Sequence, residues 1–123
     1  MNKNKVINKK IIEAVLEGIR KIKGKDIIII DLNTIHHTEC GYFVICHGTS
    51  TTQVGSIAQS VEETVEKITG IKAWHTEGYR NSVWILLDYE DIVVHIFHEK
   101  TRTFYNLEGL WADAKIEKAD SDN

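Results

Sequence analysis

The sequence predicts a single α/β domain, a mixed β-sheet of about five strands flanked by helices. Three observations carry that expectation. Two segments repeat apolar residues every three or four positions over about five turns, the period of an amphipathic helix. Several short runs rich in Ile and Val have the length of strands. Strand-like and helix-like segments also alternate through the first two thirds of the chain, the order in which a sheet acquires covering helices. At 123 residues there is room for one domain with a substantial core and no need of disulfides or metal staples.

From Val6 to Ile22 the residues Val6, Ile7, Ile11, Ile12, Val15, Leu16, Ile19 and Ile22 mark one helix face. Gly24 follows as a helix stop, with Lys21, Lys23 and Lys25 near the negative end of the helix dipole. Asp26–Leu32 holds four consecutive isoleucines and reads as a strand covered on both faces. The polar stretch from Asn33 to Gly41 is a loop. Tyr42–Cys46 is the next strand. Ser50 with Gln53 has capping-box spacing, so a helix is expected from Thr51, with Val54, Ile57, Ala58, Val61, Val65 and Ile68 inward and Gly70 as its end. Ile71–Glu77 is a third strand, and Gly78–Asn81 turns the chain into a fourth, Ser82–Leu87. A right-handed crossover is expected for the strand–helix–strand unit. Asp88, Tyr89, Glu90 and Asp91 form a short acidic connector to the apolar run Ile92–Phe97, a hairpin arrangement. Over Thr101–Trp111 short helical turns are expected to pack Phe104, Leu107, Leu110 and Trp111 on the sheet, with Tyr105 on another side. From Ala112 onward the chain is polar, and a frayed tail is expected there.

Composition limits the function. A net charge of −3 gives no broad basic field, so sequence-specific nucleic-acid binding is not expected, and a charged partner would be basic. Cys40 and Cys46 have no second pair at zinc spacing, and Cys46, inside an apolar run, reads as a buried reduced thiol. The first residues, MNKNKVINKK, lead into no apolar segment of signal or membrane-spanning type, so a cytoplasmic protein is expected.

The residues leave three kinds of chemistry to weigh. Asp88, Glu90 and Asp91 could hold Mg²⁺ at a strand end and serve nucleotidyl transfer. The Gly48-Thr49-Ser50 turn, however, is not followed by the carboxylate pair that this reaction wants, and Gly48 stands without a Lys to make a phosphate loop. A Cys40 nucleophile has no motif to fix its geometry, and the loop pair His36-His37 lacks a third ligand. The remaining candidate is recognition of another protein by Tyr79, Trp84 and Tyr105 inside a rim of Glu77, Asp88 and Asp91. Alternation places Trp84 and Leu86 on one strand face and Val83, Ile85 and Leu87 on the other. That leaves Trp84 open to a core or an interface reading. His95 is the single polar residue in a strand apolar on both faces.

The run Trp84-Ile85-Leu86-Leu87-Asp88, then Asp91 to Phe97 (DIVVHIF), then Arg102, Phe104 to Glu108 (FYNLE) and Leu110-Trp111 closely resembles the ribosomal silencing factor family, also called RsfS or Iojap-related. Asp26–Leu32, Tyr42–Ser50 (YFVICHGTS) and Glu77-Gly78 match in the same order. The resemblance assigns residues 1–111 to that domain and leaves 112–123 as a tail. It implies a fold like that of nucleotidyltransferases without the catalytic carboxylates, and hence no enzyme and no cofactor or metal. It also implies binding to the large ribosomal subunit through large-subunit protein fourteen, which blocks subunit joining and represses translation. By the same resemblance Trp84 and Tyr105 are partner contacts, and Asp88, Asp91 and His95, which fall on motif positions, are assigned to the same partner contact. The alternatives kept beside it are a Mg²⁺-dependent nucleotidyltransferase-like enzyme and a homodimeric scaffold. The chain departs from the family at Gly41, where an Asp is usual, and in a loop around His36-His37 that is one residue longer.

Overall fold

The structure, a computed structural model, describes residues 3–35, 38 and 40–119. In chain order the elements are α1 (Lys3–Lys21), β1 (Lys25–Asp31), β2 (Tyr42–Gly48), α2 (Thr51–Thr69), β3 (His75–Glu77), β4 (Trp84–Asp88), β5 (Ile92–His98), α3 (Glu99–Tyr105), α4 (Leu107–Leu110) and β6 (Lys115–Lys118). One sheet runs in the order β3-β4-β5-β2-β1-β6. Its central pair, β2 and β5, is parallel, and every other neighbouring pair is antiparallel. The expected mixed sheet is therefore present, with one strand more than expected.

Both long helices end where local chemistry stops them. In α1 the left-handed residue is Lys23, not Gly24. Lys23 N–H donates to Arg20 O and Gly24 N–H to Ile19 O, at 3.0 Å each, the paired bonds of a Schellman stop. Gly24 serves close approach instead, since a Cβ there would lie 2.4 Å from Ile19 Cγ2. At the start of α2 the Ser50 side chain accepts from Gln53 N–H, and Gly70, at φ 77°, closes its end.

The two helices lie together over one sheet face. Ile11, Val15 and Ile19 of α1 and Val54, Ile57, Val61 and Val65 of α2 are buried with Ile85, Leu87, Val94 and Ile96. Gly18 lets the helix backbones meet: a Cβ there would be 2.7 Å from Val61 Cα, and Ser60 Oγ donates to Gly18 O at 2.7 Å. The expected helix faces hold for most positions, but Val6, Ile7 and Ile68 are exposed. The opposite sheet face carries a smaller core of Ile28, Ile30, Ile45 and Phe97, with Trp84, Leu107 and Trp111 packed at its margin.

Three expectations change. The stretch after Ala112 was expected to fray, yet Lys115–Lys118 forms β6 on the outer edge of β1, with Ile116 opposite Ile30. Every residue of β6 is exposed. It is held by main-chain bonds that satisfy the edge of β1, and apolar periodicity does not register such bonds. Residues 120–123 of that expectation lie outside the described residues. The strand expected over Ile71–Glu77 shortens to β3, because His75 pairs with Asp88, the last residue of β4. Trp74 N–H still reaches Asp88 O at 3.0 Å, and residues before it would need partners where the chain has already turned away. Phe104 and Leu110, expected on the sheet, are 79% and 75% exposed. The His36-His37 loop lies outside the described residues.

Candidate functional site: the open aromatic face

The face left uncovered by α1 and α2 presents a continuous path of rings. Antiparallel pairing sets Trp84 opposite Phe97 and Leu86 opposite His95, so Trp84 and His95 are diagonal neighbours on one side of the sheet. The Trp84 ring packs on Phe97 at 4.8 Å between centroids and on Tyr105 at 5.0 Å. Phe104 meets Tyr105 edge-on at 5.0 Å. In the other direction His95 contacts Phe43 at 4.6 Å, and Phe43 contacts Trp111 at 5.9 Å. Tyr105 is 53% exposed and Phe104 79%, so one end of the path stands in solvent while its middle, Trp84, Phe97, His95 and Phe43, is anchored in the sheet.

His95 is 4% exposed, and burial pushes its pKa down to about 4. It is therefore neutral at physiological pH. Trp84 Nε1–H donates to His95 Nδ1 at 3.1 Å. With Nδ1 accepting, the ring proton sits on Nε2. That Nε2 is buried and finds no hydrogen-bond partner among the described residues.

Tyr105 is positioned by its own segment. It ends α3, where Asn106 at φ 47° turns the chain into α4. Arg102, three residues earlier and 8% exposed, clamps that turn. Its Nε and Nη2 donate to Glu108 Oε2 at 3.1 and 2.9 Å, and its Nη1 donates to Asp26 O at 2.8 Å and contacts His47 Nδ1 at 3.0 Å. Burial, and then the nearby guanidinium, lower the pKa of His47. Arg102 thus ties the helical segment to the start of β1.

Of the five residues assigned to partner contact, four share this side. Trp84, His95 and Tyr105 form the ring path. Asp88 borders an adjoining cleft, and its Oδ1 accepts from Glu90 N–H at 2.7 Å. Asp91 points elsewhere: its Oδ2 accepts from Asn8 Nδ2 of α1 at 2.5 Å. The unusual Gly41 belongs to this corner, since a Cβ there would lie 2.9 Å from the Asp91 carboxylate. Asp88 and Asp91 therefore do not form the carboxylate pair that nucleotidyl transfer would require. Among the described residues no three His, Cys, Asp or Glu side chains gather into a group able to hold a metal ion. Tyr79, expected in the aromatic patch, instead donates from its hydroxyl to Glu62 on α2 and leaves the face. The turn at Gly48 is filled by Gln53, whose Oε1 accepts from Thr49 N–H at 2.8 Å. Cys46 is a buried thiol whose pKa burial pushes up to about 12.

Sequence reasoning missed Phe104 and Leu110 as exposed surface, and Phe43 and Trp111 as ring neighbours of the site. The first two have helical spacing to Leu107 and Trp111 that suggests burial. The helix of this segment breaks at Asn106, however, so that spacing does not carry through. Val83 and Trp74 are also exposed, Trp74 at 74%.

Comparison with known proteins accords with this arrangement. Residues 5–123 match the family described as ribosomal silencing factor during starvation. The ribosomal silencing factor RsfS of Bacillus subtilis is 39% identical over 98 residues, covering 80% of this chain and 81% of that protein. The chloroplastic protein Iojap of Arabidopsis thaliana is 37% identical over 73 residues, 59% of this chain and 30% of that one. A solved structure from Chromobacterium violaceum superposes with a TM-score of 0.74 at 32% identity, covering 98% of this chain and 95% of its own. One from Bacillus halodurans gives 0.72 at 33% identity, covering 84% and 94%. None of the described helices is long and apolar enough to cross a membrane. On sequence, fold and the motifs that build the aromatic face, this chain belongs to the ribosomal silencing factor family.

Proposed function

We propose that the protein represses translation in the cytoplasm by seating its aromatic face on the large ribosomal subunit, against large-subunit protein fourteen, and so excluding the small subunit. The observation that carries this reading is the ring contact of Trp84 with Tyr105, centroids 5.0 Å apart and planes inclined at 48°, continued outward by the exposed ring of Phe104. A soluble domain that leaves a ring path of this kind uncovered has the apolar centre of a recognition surface. The mechanism is steric: one surface of the large subunit cannot be covered twice, and no bond is made or broken. Asp88 and Glu90 beside the face, with a net charge of −3, suit a basic ribosomal protein. Asp91, whose carboxylate accepts from Asn8 of α1, is left out of the contact in this reading.

The test is co-sedimentation of the protein with purified large subunits. Trp84→Ala is expected to weaken binding by about thirtyfold, the loss of an anchor worth roughly 2 kcal/mol. A folded Trp84→Ala variant that sediments with large subunits as well as the wild type would remove the anchor assignment. A second reading has some support, because exposed Phe104 and Leu110 could be buried in a homodimer. Solution mass measured against concentration separates that assembly from a monomer.

A further inference from the structure

β6 is the last strand of the sheet, and its outer side is an open edge. The bonds that tie it to β1 fix what that edge presents. Ala119 N–H donates to Ile27 O at 2.8 Å. Antiparallel ladders alternate, so Glu117 and Lys115, opposite Ile29 and Asp31, also turn their main-chain groups to β1. Ile116 and Lys118 turn theirs outward. The side chains divide as well. Ile116 shares the face of Ile30 and is 41% exposed. Glu117 is on the α1 side, beside an apolar groove of Val6, Ile12, Ile29 and Tyr42. Apolar surface therefore flanks the edge on both sides of the sheet.

We infer that the outer edge of β6 pairs antiparallel with β6 of a second copy, Ile116 against Ile116, joining two sheets into one. Lysines on an edge strand usually deter pairing with another chain. Here the charges bar every extended register but one. A symmetric pairing that overlaps at least three of the four residues of β6 is centred on Ile116, on Glu117, or between them. The intermediate register needs the main-chain groups of Lys115 and Glu117, which β1 already holds, and it sets Lys115 against Lys118. The register centred on Glu117 sets that carboxylate against its own copy. Centred on Ile116, the pairing lets the two Ile116 residues exchange both main-chain bonds. It also places Lys115 opposite Glu117 on each side of the axis, with Lys118 opposite Ala114. Residues opposite one another share a face, so α1 and α2 of both copies lie on one side of the joined sheet and both ring faces on the other. The contact uses neither Phe104 nor Leu110. The inference stands whether or not the ring face binds the large subunit.

Sedimentation equilibrium of the full chain over a range of concentrations tests it. Wild type is compared with Lys115→Glu, with Glu117→Lys, with the double inversion of both, and with an equimolar mixture of the two single variants. Every residue of β6 is exposed, so these changes leave both cores untouched. Wild type is expected to pass from monomer to dimer as concentration rises. Each single inversion sets like charges opposite one another twice and should weaken association by about tenfold or more. The double inversion exchanges the charges and should associate like wild type. The mixture should form a heterodimer, since each changed residue then meets an opposite charge. Ile116→Pro deletes an N–H that β1 does not use, so it should abolish the dimer and leave urea unfolding of the monomer unchanged. A wild type that stays monomeric over the whole range overturns the inference. A dimer that persists in Ile116→Pro, or that ignores both single inversions and disappears in Phe104→Ser, places the contact elsewhere and overturns it too. A double inversion and a mixture that associate no better than the single variants overturn the register, and the inference with it.

Discussion

Acidification should destabilise the fold through His95 by a calculable amount. The ring is 4% exposed, and burial holds its pKa at about 4 against an ordinary 6.5. Between those two values the unfolded chain binds a proton that the folded chain does not, so stability falls as pH drops through that window. The contribution is fully present above 6.5, shrinks toward pH 4 and changes no further below it. At about 1.4 kcal/mol for each pH unit of separation, the ceiling is about 3 kcal/mol. Moving from about pH 7.5 to about pH 4.5 should remove roughly 2.5 kcal/mol of it. Urea denaturation across that range measures the loss, and His95→Gln, which cannot titrate there, supplies the reference. His47, whose pKa is also lowered, contributes in the same direction in both proteins and cancels in the comparison. The expected result is a pH dependence steeper in wild type than in His95→Gln by roughly 2.5 kcal/mol over the range. Parallel pH profiles would refute the buried neutral imidazole, and with it the tautomer assigned to His95.

Three further substitutions probe the scaffold and the face. Gly78→Ala should cost at least ~2 kcal/mol in denaturation, through left-handed backbone and steric overlap. Gly78 sits at φ 92°, and its added Cβ would lie 2.0 Å from Trp84 O; a loss under about 0.5 kcal/mol would contradict this turn. Arg102→Lys should destabilise by about 2 kcal/mol, since an ammonium cannot serve Glu108, Asp26 O and His47 together. Unchanged unfolding would show that the clamp does not hold α3 and α4. Tyr105→Ala should lower stability by no more than about 1 kcal/mol, because the ring is half exposed, yet weaken large-subunit binding by tenfold or more. Equal small effects on both would place Tyr105 outside the contact.

The parts of the fold legible in the sequence are those where side chains carry the information. The faces of α1 and α2 and the buried runs in β1, β2 and β5 follow from apolar period and β-branching. The alternation in β4 set Trp84 and Leu86 against Ile85 and Leu87, and their burial follows it. What stayed hidden depends on the main chain or on one irregular residue. β6 has no buried side chain to announce it. The break at Asn106 redirects Phe104 and Leu110 into solvent. Likewise the site residues came from motif order, but their geometry did not. The sequence placed Asp88 and Asp91 in one acidic corner, yet a turn at Glu90, φ 77°, sends their carboxylates to different neighbours. The orphan N–H of His95 could not be read at all, since it arises from a diagonal contact with the Trp84 indole.

The central claim is tested most directly by mixing the purified protein with separated ribosomal subunits under joining conditions and resolving the products on a sucrose gradient. The expected result is co-migration with the large subunit and a dose-dependent loss of joined ribosomes. Undiminished joining at saturating protein, or migration with the small subunit instead, would contradict it.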